Sequence, residues 1–106
     1  MSAQRGDTRM FGAIRSITLK PGATEEYVRR VTAGAIPIMR EMDGFKAFYV
    51  VAGAGGKLIS LSLFTNKTAA ETSTRTLMPW IKENLAPLLT SMPEAVDGEV
   101  VISEVQ

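Results

Sequence analysis

Between residues 10 and 20, "MFGAIRSITLK", apolar side chains return at every second position. Phe11, Ala13, Ile17 and Leu19 alternate with Gly12, Ser16 and Thr18, the spacing of a half-buried strand. Pro21-Gly22 ends it. The period then lengthens. Tyr27, Val31, Ala35, Ile38 and Met42 recur at three- and four-residue intervals, with Val28 and Met39 widening the stripe, so a helix is expected over about residues 24–42. Thr24 is placed to cap it, and Glu25 and Glu26 occupy the first turn, where the helix dipole favours negative charge. Pro37 removes a backbone donor and should kink or divide this helix. Gly44 is a natural stop. Two β-rich runs follow, "FKAFYVVA" at 45–52 and "KLISLSLF" at 57–64. Thr65 or Asn66 can cap a second helix from about Lys67, which Pro79 should divide, with a further helical piece over about 80–89. A turn-rich stretch leads to "EVVISEV", about 99–105, as the last strand. Residues 1–9 read as a flexible lead-in, and 10–106 as one domain.

The order is β-α-β-β-α-β, an α+β, ferredoxin-like plan: a four-stranded antiparallel sheet with both helices on one face. Strand 3 is apolar on both sides, with Ile59, Leu61 and Leu63 on one and Leu58 and Phe64 on the other. Helices cover one face. The economical cover for the other is a second copy, so a homodimer is expected.

The glycine cluster in "VVAGAGGKLISL" lies between two strands. A dinucleotide-binding loop needs its glycines at a strand-to-helix junction, and a Walker loop ends in Gly-Lys-Ser/Thr; neither holds here. The cluster therefore predicts a hairpin turn, with glycine supplying positive φ. A loop over 53–56 sets Ala52 opposite Lys57. That register puts Phe48, Val50, Ile59, Leu61 and Leu63 on one face and Phe45, Ala47, Tyr49, Ser60, Ser62 and Phe64 on the other. The second face mixes rings, small residues and hydroxyls, as small-molecule cavities do. An odd loop length would reverse one strand against the other.

Composition narrows the chemistry. The 106 residues carry a net charge of +1 and no long basic run, so nucleic acid is not an expected partner. The chain has no Cys and no His. Disulfides, thiolate nucleophiles, Ser–His triads and the usual zinc sites are thereby excluded, and the scattered carboxylates lack calcium-loop spacing, so no metal site is expected. No apolar stretch approaches the length of a membrane span, and the polar amino terminus resembles no signal peptide, which fits a cytoplasmic protein. Within these bounds Arg15 stands out, because it interrupts an apolar strand face and would need a partner there, such as Glu104, or an anionic or phenolate oxygen to hold. Trp80 follows the Pro79 break and could line the open end of a helix–sheet cleft, core packing being its ordinary alternative. Tyr27 and Tyr49 are the phenols available for proton relay.

The segments "ITLKPGATEEYVRRV", "IPIMREMDGFKAFYVV" and "ISLSLFTNKTAAE" together resemble the antibiotic-biosynthesis monooxygenase-like domains of the dimeric α+β barrel superfamily, over about residues 10–90. The resemblance implies a homodimer whose sheets pack into a barrel, with one pocket per subunit between sheet and helices. It implies cofactor-free oxygenation of polycyclic phenols, in which the substrate anion itself reacts with dioxygen. In the related haem-degrading branch an Asn, a Trp and a His form the site. Their positions fall here on Arg15, Phe64 and near Ser73, so that activity does not carry over. The strand-1 His of the stress-responsive branch is absent too. On the enzyme reading, Arg15 holds an oxyanion, Tyr49, Ser60 or Ser62 orients an aromatic or quinol-type ligand, and Phe64 and Trp80 stack on it. The alternatives are a non-catalytic binding protein and a purely structural dimer of the same fold.

Overall fold

A computed structural model describes residues 9–106; the expected lead-in lies almost wholly outside them. Strand β1 (Phe11–Thr18) leads into helix α1 (Thr24–Arg30), a π-helical turn (Val31–Ala35) and helix α2 (Ile36–Arg40). Strands β2 (Phe45–Ala52) and β3 (Lys57–Phe64) form a hairpin, helix α3 (Lys67–Asn84) follows, and β4 (Glu94–Glu99) closes the chain's regular structure. The sheet order is β2-β3-β1-β4, all neighbours antiparallel. This is the ferredoxin-like plan, with both helical arms on one face.

The core lies between that face and the helices. Ile17, Leu19 and Leu58 come from the sheet, Tyr27, Val31, Ala35 and Met39 from the first helical arm, and Leu77 and Leu85 from α3 and its end. The helical residues are the apolar stripe that the three- and four-residue spacing predicts. Asn66 caps α3 through its side chain, which accepts from the Ala69 amide at 2.8 Å. Ala23, not Thr24, is the residue before α1, and it makes no side-chain cap.

The two prolines act differently from each other. Ahead of Pro37 the helix widens into the π turn and continues without breaking, one way to accommodate a missing amide donor. Pro79 does not divide α3, which runs through it. An interior proline costs about 3 kcal/mol, but buried or half-buried Ala70, Ser73, Leu77 and Ile81 continue one stripe across it. Trp80 also lies close over Gly34, where any Cβ would come within 2.3 Å of its ring. Packing therefore outweighs local propensity.

The hairpin loop has three residues, not four. The Gly53 amide donates to the Lys57 carbonyl at 2.7 Å, leaving Ala54–Gly56 as the turn, with φ of +70° at Gly55 and +78° at Gly56. Gly56 is pinned against the exit of β1: its carbonyl accepts from the Leu19 amide at 2.8 Å, and a Cβ there would press on the Leu19 carbonyl at 2.9 Å. Ala52 therefore faces Leu58, not Lys57, and Tyr49 faces Leu61. The register also shifts between Phe45 and Ala47. This bulge lets both Phe45 and Phe48 pack towards the core.

The last strand is Glu94–Glu99, not 99–105. It pairs along β1 from Phe11↔Glu99 to Ser16↔Glu94. A bridge between Leu19 and Leu89 already returns the chain to β1, so the strand begins only a few residues later. The apolar Val101, Ile102 and Val105 remain exposed beyond it.

Candidate functional site

The antiparallel pairings decide what the helix-covered face presents. Arg15 sits directly opposite Ser60, and Ala13 opposite Ser62. Val50 and Phe48, from β2, face the same two serines. A small floor of Ala13, Ser60 and Ser62 leaves room that larger side chains would fill. A cavity of about 340 Å³ opens above it, within the range of small-ligand sites. Its floor is Ala13, Arg15, Ile17, Phe48, Ser60, Ser62 and Phe64. Tyr27, Val31, Ala35 and Met39 line it from the first helical arm, and Ser73, Thr74 and Leu77 from α3. Met92, Pro93 and Ala95 border it along β4 and its approach.

Arg15 finds its partner on β4, not at Glu104. One terminal nitrogen of its guanidinium donates to Asp97 Oδ1 at 2.6 Å and to the Ile14 carbonyl at 2.9 Å. Ala13 faces Asp97 across the strands, and Arg15 faces Ala95. The pair is thus a diagonal contact on the helix-covered side of the sheet edge. It is only partly exposed, with side-chain accessibilities of 24% and 42%, so the attraction is less screened than at an open surface. Phe64 is fully buried and meets Phe45 edge to face, with centroids 6.1 Å apart.

The structure brings together Arg15, Ser60, Ser62 and Phe64 of the six residues singled out in the sequence. Tyr49 is not with them. The three-residue loop moves it to the open face of the sheet, 59% exposed. Trp80 is not in the cavity lining either; it packs on Gly34 instead. Four further polar residues line the cavity, Tyr27, Ser73, Thr74 and Lys82, of which Tyr27 and Ser73 are buried, 3% and 4% exposed. The sequence carries a signal for Ser73, a hydroxyl interrupting the apolar stripe from Ala70 to Leu77. Tyr27 is concealed in its helix stripe, where a phenol reads as a core ring. Burial pushes its pKa up to about 12.

A second depression, lined by Pro37, Ile38, Glu41, Met42 and Thr76, lies on the outer helix surface and opens broadly to solvent. It brings together few polar groups and is poorly suited to chemistry. Among the described residues, no helix is long and apolar enough to cross a membrane.

The family model for antibiotic biosynthesis monooxygenases matches residues 10–77. No curated protein matches the chain. Solved structures share the fold at low identity. A Nitrosomonas europaea protein of unknown function, NE2512, superposes with a TM-score of 0.76 at 18% identity, covering 95% of this chain and 98% of that one. The monooxygenase from the Streptomyces coelicolor gene ActVA-Orf6, in complex with nanaomycin D, gives 0.74 at 18% identity, over 93% and 94% of the two chains. Rv0793 from Mycobacterium tuberculosis gives 0.71 at 17% identity, over 92% and 99%.

Proposed function

The chain belongs to the antibiotic biosynthesis monooxygenase family, and on that premise we propose that it is a small cofactor-independent monooxygenase-like protein that takes an aromatic or quinol-type molecule into the helix–sheet cavity. The observation that carries this reading is the cavity itself: largely apolar walls, carrying Tyr27, Ser73, Thr74 and Lys82, around a floor holding one guanidinium and two serine hydroxyls. The fold relative that binds nanaomycin D lends support.

The chemistry needs no group beyond substrate, dioxygen and side chains. An anthrone or quinol loses a proton to give an electron-rich anion. In the anthrone case the anion passes one electron to dioxygen, and the two radicals join in a new C–O bond. Protonation gives a hydroperoxide. Loss of water leaves a carbonyl, so one oxygen atom enters the product and the other leaves as water. Arg15 suits the anion, because a fixed guanidinium favours charge that grows during the reaction. We assign the first proton to Asp97, which accepts a hydrogen bond from Arg15 without itself lining the cavity. Ser60 and Ser62 orient the ligand's oxygens, and Phe64 offers a ring face.

Oxygen-electrode measurements with a panel of anthrones and quinols test this. Uptake matched by formation of the oxidised product is expected, falling at least tenfold in Arg15→Met. Ligand-induced thermal stabilisation without any uptake would overturn the catalytic reading and leave a binding protein.

We also propose that the partner is a second copy of the chain. Ile14, Tyr49, Val51, Ile59 and Val96 are exposed on the open face, an apolar area that a monomer would leave in water. Light scattering should give twice 11.5 kDa; a monomer mass at micromolar concentration would refute it. The absence of cysteine supports a cytoplasmic setting.

A further inference from the structure

We propose that the Tyr27 hydroxyl is a specificity-determining donor of the cavity, selecting ligands that present a carbonyl or similar oxygen acceptor to the helical roof. The proposal rests on the reading of this cavity as a ligand site.

Tyr27 occupies the start of α1, where its amide donates to the Ala23 carbonyl at 2.9 Å. The side chain is 3% exposed and belongs to the core cluster with Ile17, Leu19, Val31, Leu58 and Leu77. Most of these neighbours are hydrocarbon. Yet the residue lines the cavity, and burial is the only influence on its ionisation, with no hydrogen-bond partner contributing. Among the described residues, no fully enclosed side-chain polar atom lacks a partner. With no hydrogen-bond partner among the described residues, the hydroxyl is not fully enclosed, and the cavity is the space that its residue lines.

A phenol in such a position is a directional mark. Leaving it without a partner is unfavourable, so a ligand that seals the cavity without offering an acceptor carries that penalty. One that places an oxygen there does not. The same asymmetry lets sites built around a hydroxyl reject analogues lacking its partner. Burial also pushes the phenol up to about 12, so at neutral pH the group keeps its proton and donates. It is no phenolate and recruits no cation. The sheet floor carries Arg15, which attracts negative charge. Tyr27 thus reads a neutral acceptor while Arg15 reads an anionic one, and a ligand with an oxygen towards each satisfies both; Ser73, Thr74 and Lys82 are the other polar residues of the roof.

The test compares 1,4-naphthoquinone with naphthalene, two probes of one ring skeleton that differ in their carbonyl oxygens. The chain has no cysteine for the quinone to alkylate. Dissociation constants come from chemical-shift titrations. Wild-type protein should bind the quinone tighter, with the Tyr27 hydroxyl supplying about fivefold to tenfold of the difference, the worth of one net hydrogen bond. Tyr27→Phe should lose that share of the preference, with naphthalene affinity unchanged. If Tyr27→Phe keeps the full quinone preference, Tyr27 is not the selective donor, while the cavity reading stands. If wild-type protein binds neither probe, the cavity reading falls and this proposal with it. Should Tyr27→Phe fail to fold, Tyr49→Phe leaves Tyr27 as the only tyrosine of two. Its ring Cζ carbon, labelled with carbon-13, should then shift more with the quinone than with naphthalene. Equal shifts would overturn the proposal.

Discussion

Leu58 and Ile59 are neighbours on one strand, yet they face different solvents. Leu58 points under the helices and is 1% exposed; Ile59 points the other way and is 44% exposed. Strand geometry sends successive side chains to opposite faces, and everything else about the two faces follows from what covers them. The covered face is mixed, with Arg15, Ser60 and Ser62 among apolar rings and aliphatics. The open face is the more uniformly apolar, with Ile14, Tyr49, Val51 and Val96 beside Ile59. Large aliphatic side chains are thus exposed on the open face, while the hydroxyl-bearing Ser60 is buried on the covered one. A buried polar floor suits a ligand; an exposed apolar face suits another copy of itself.

The largest break in this comparison is Leu58→Ala. Truncating a buried leucine removes transfer energy and leaves a cavity, about 2–5 kcal/mol in denaturant unfolding. Ile59→Ala, one residue on, should cost under about 1 kcal/mol in the isolated subunit. Equal losses would mean that the open face is already packed within one subunit. Next comes Ile59→Asp. A carboxylate on an apolar contact should weaken dimer association about a hundredfold, roughly 3 kcal/mol, read as a concentration-dependent mass by light scattering. An unchanged mass would remove the open face from the interface.

The two tyrosines sharpen the comparison at high pH. Tyr27 has its pKa raised to about 12 by burial, against about 10 in an unfolded chain. Its contribution is therefore fully present below pH ~10 and is lost as pH rises towards ~12, because only the unfolded state ionises in that window. The loss amounts to roughly 2–3 kcal/mol. Tyr27→Phe should flatten that limb of the stability profile. Tyr49→Phe, on the open face, should leave it in place.

Which face each residue takes was only half legible in the sequence. The alternation in β3 is strict, so Ser60, Ser62 and Phe64 share a face whatever the loop does. The place of Arg15 among the cavity residues followed in the same way, from the apolar alternation of β1. Tyr49 depended on loop length, and four clustered loop residues do not reveal whether three or four of them turn. The deciding contact is Gly56 against the exit of β1, a tertiary event with no local signature. The Lys46 bulge is equally silent. Pro79 shows the opposite error: its local signal is strong, but the apolar stripe across it is stronger. The apolar pattern of 99–105 reads as a strand, yet Val101, Ile102 and Val105 stay exposed, because β1 has already taken Glu94–Glu99 as its neighbour.

The smallest expected effect lies on the outside of the roof. Glu26 accepts from Arg29, and from Arg30 at 2.6 Å. These two guanidiniums, Arg29 foremost, hold its carboxyl below the usual range. Arg30 also donates to the carbonyl of Asn84, the last residue of α3, at 2.5 Å. The surface carboxylate thus helps orient the guanidinium that joins the two helices over the cavity. A lowered pKa gives a contribution present above the ordinary value and lost as pH falls through the depressed one. Glu26→Gln should therefore lower the neutral plateau slightly, since surface ion pairs contribute little, and flatten the acid limb, so that the two profiles converge below pH ~4.5. The dimer dissociation constant at pH 7 should not move, since Glu26 belongs to the helix side. A variant whose whole profile superposes on the wild type, neutral plateau included, would show that the pair does not form in solution. A variant that instead shifts the dimer equilibrium would show that the two faces of the sheet are not independent.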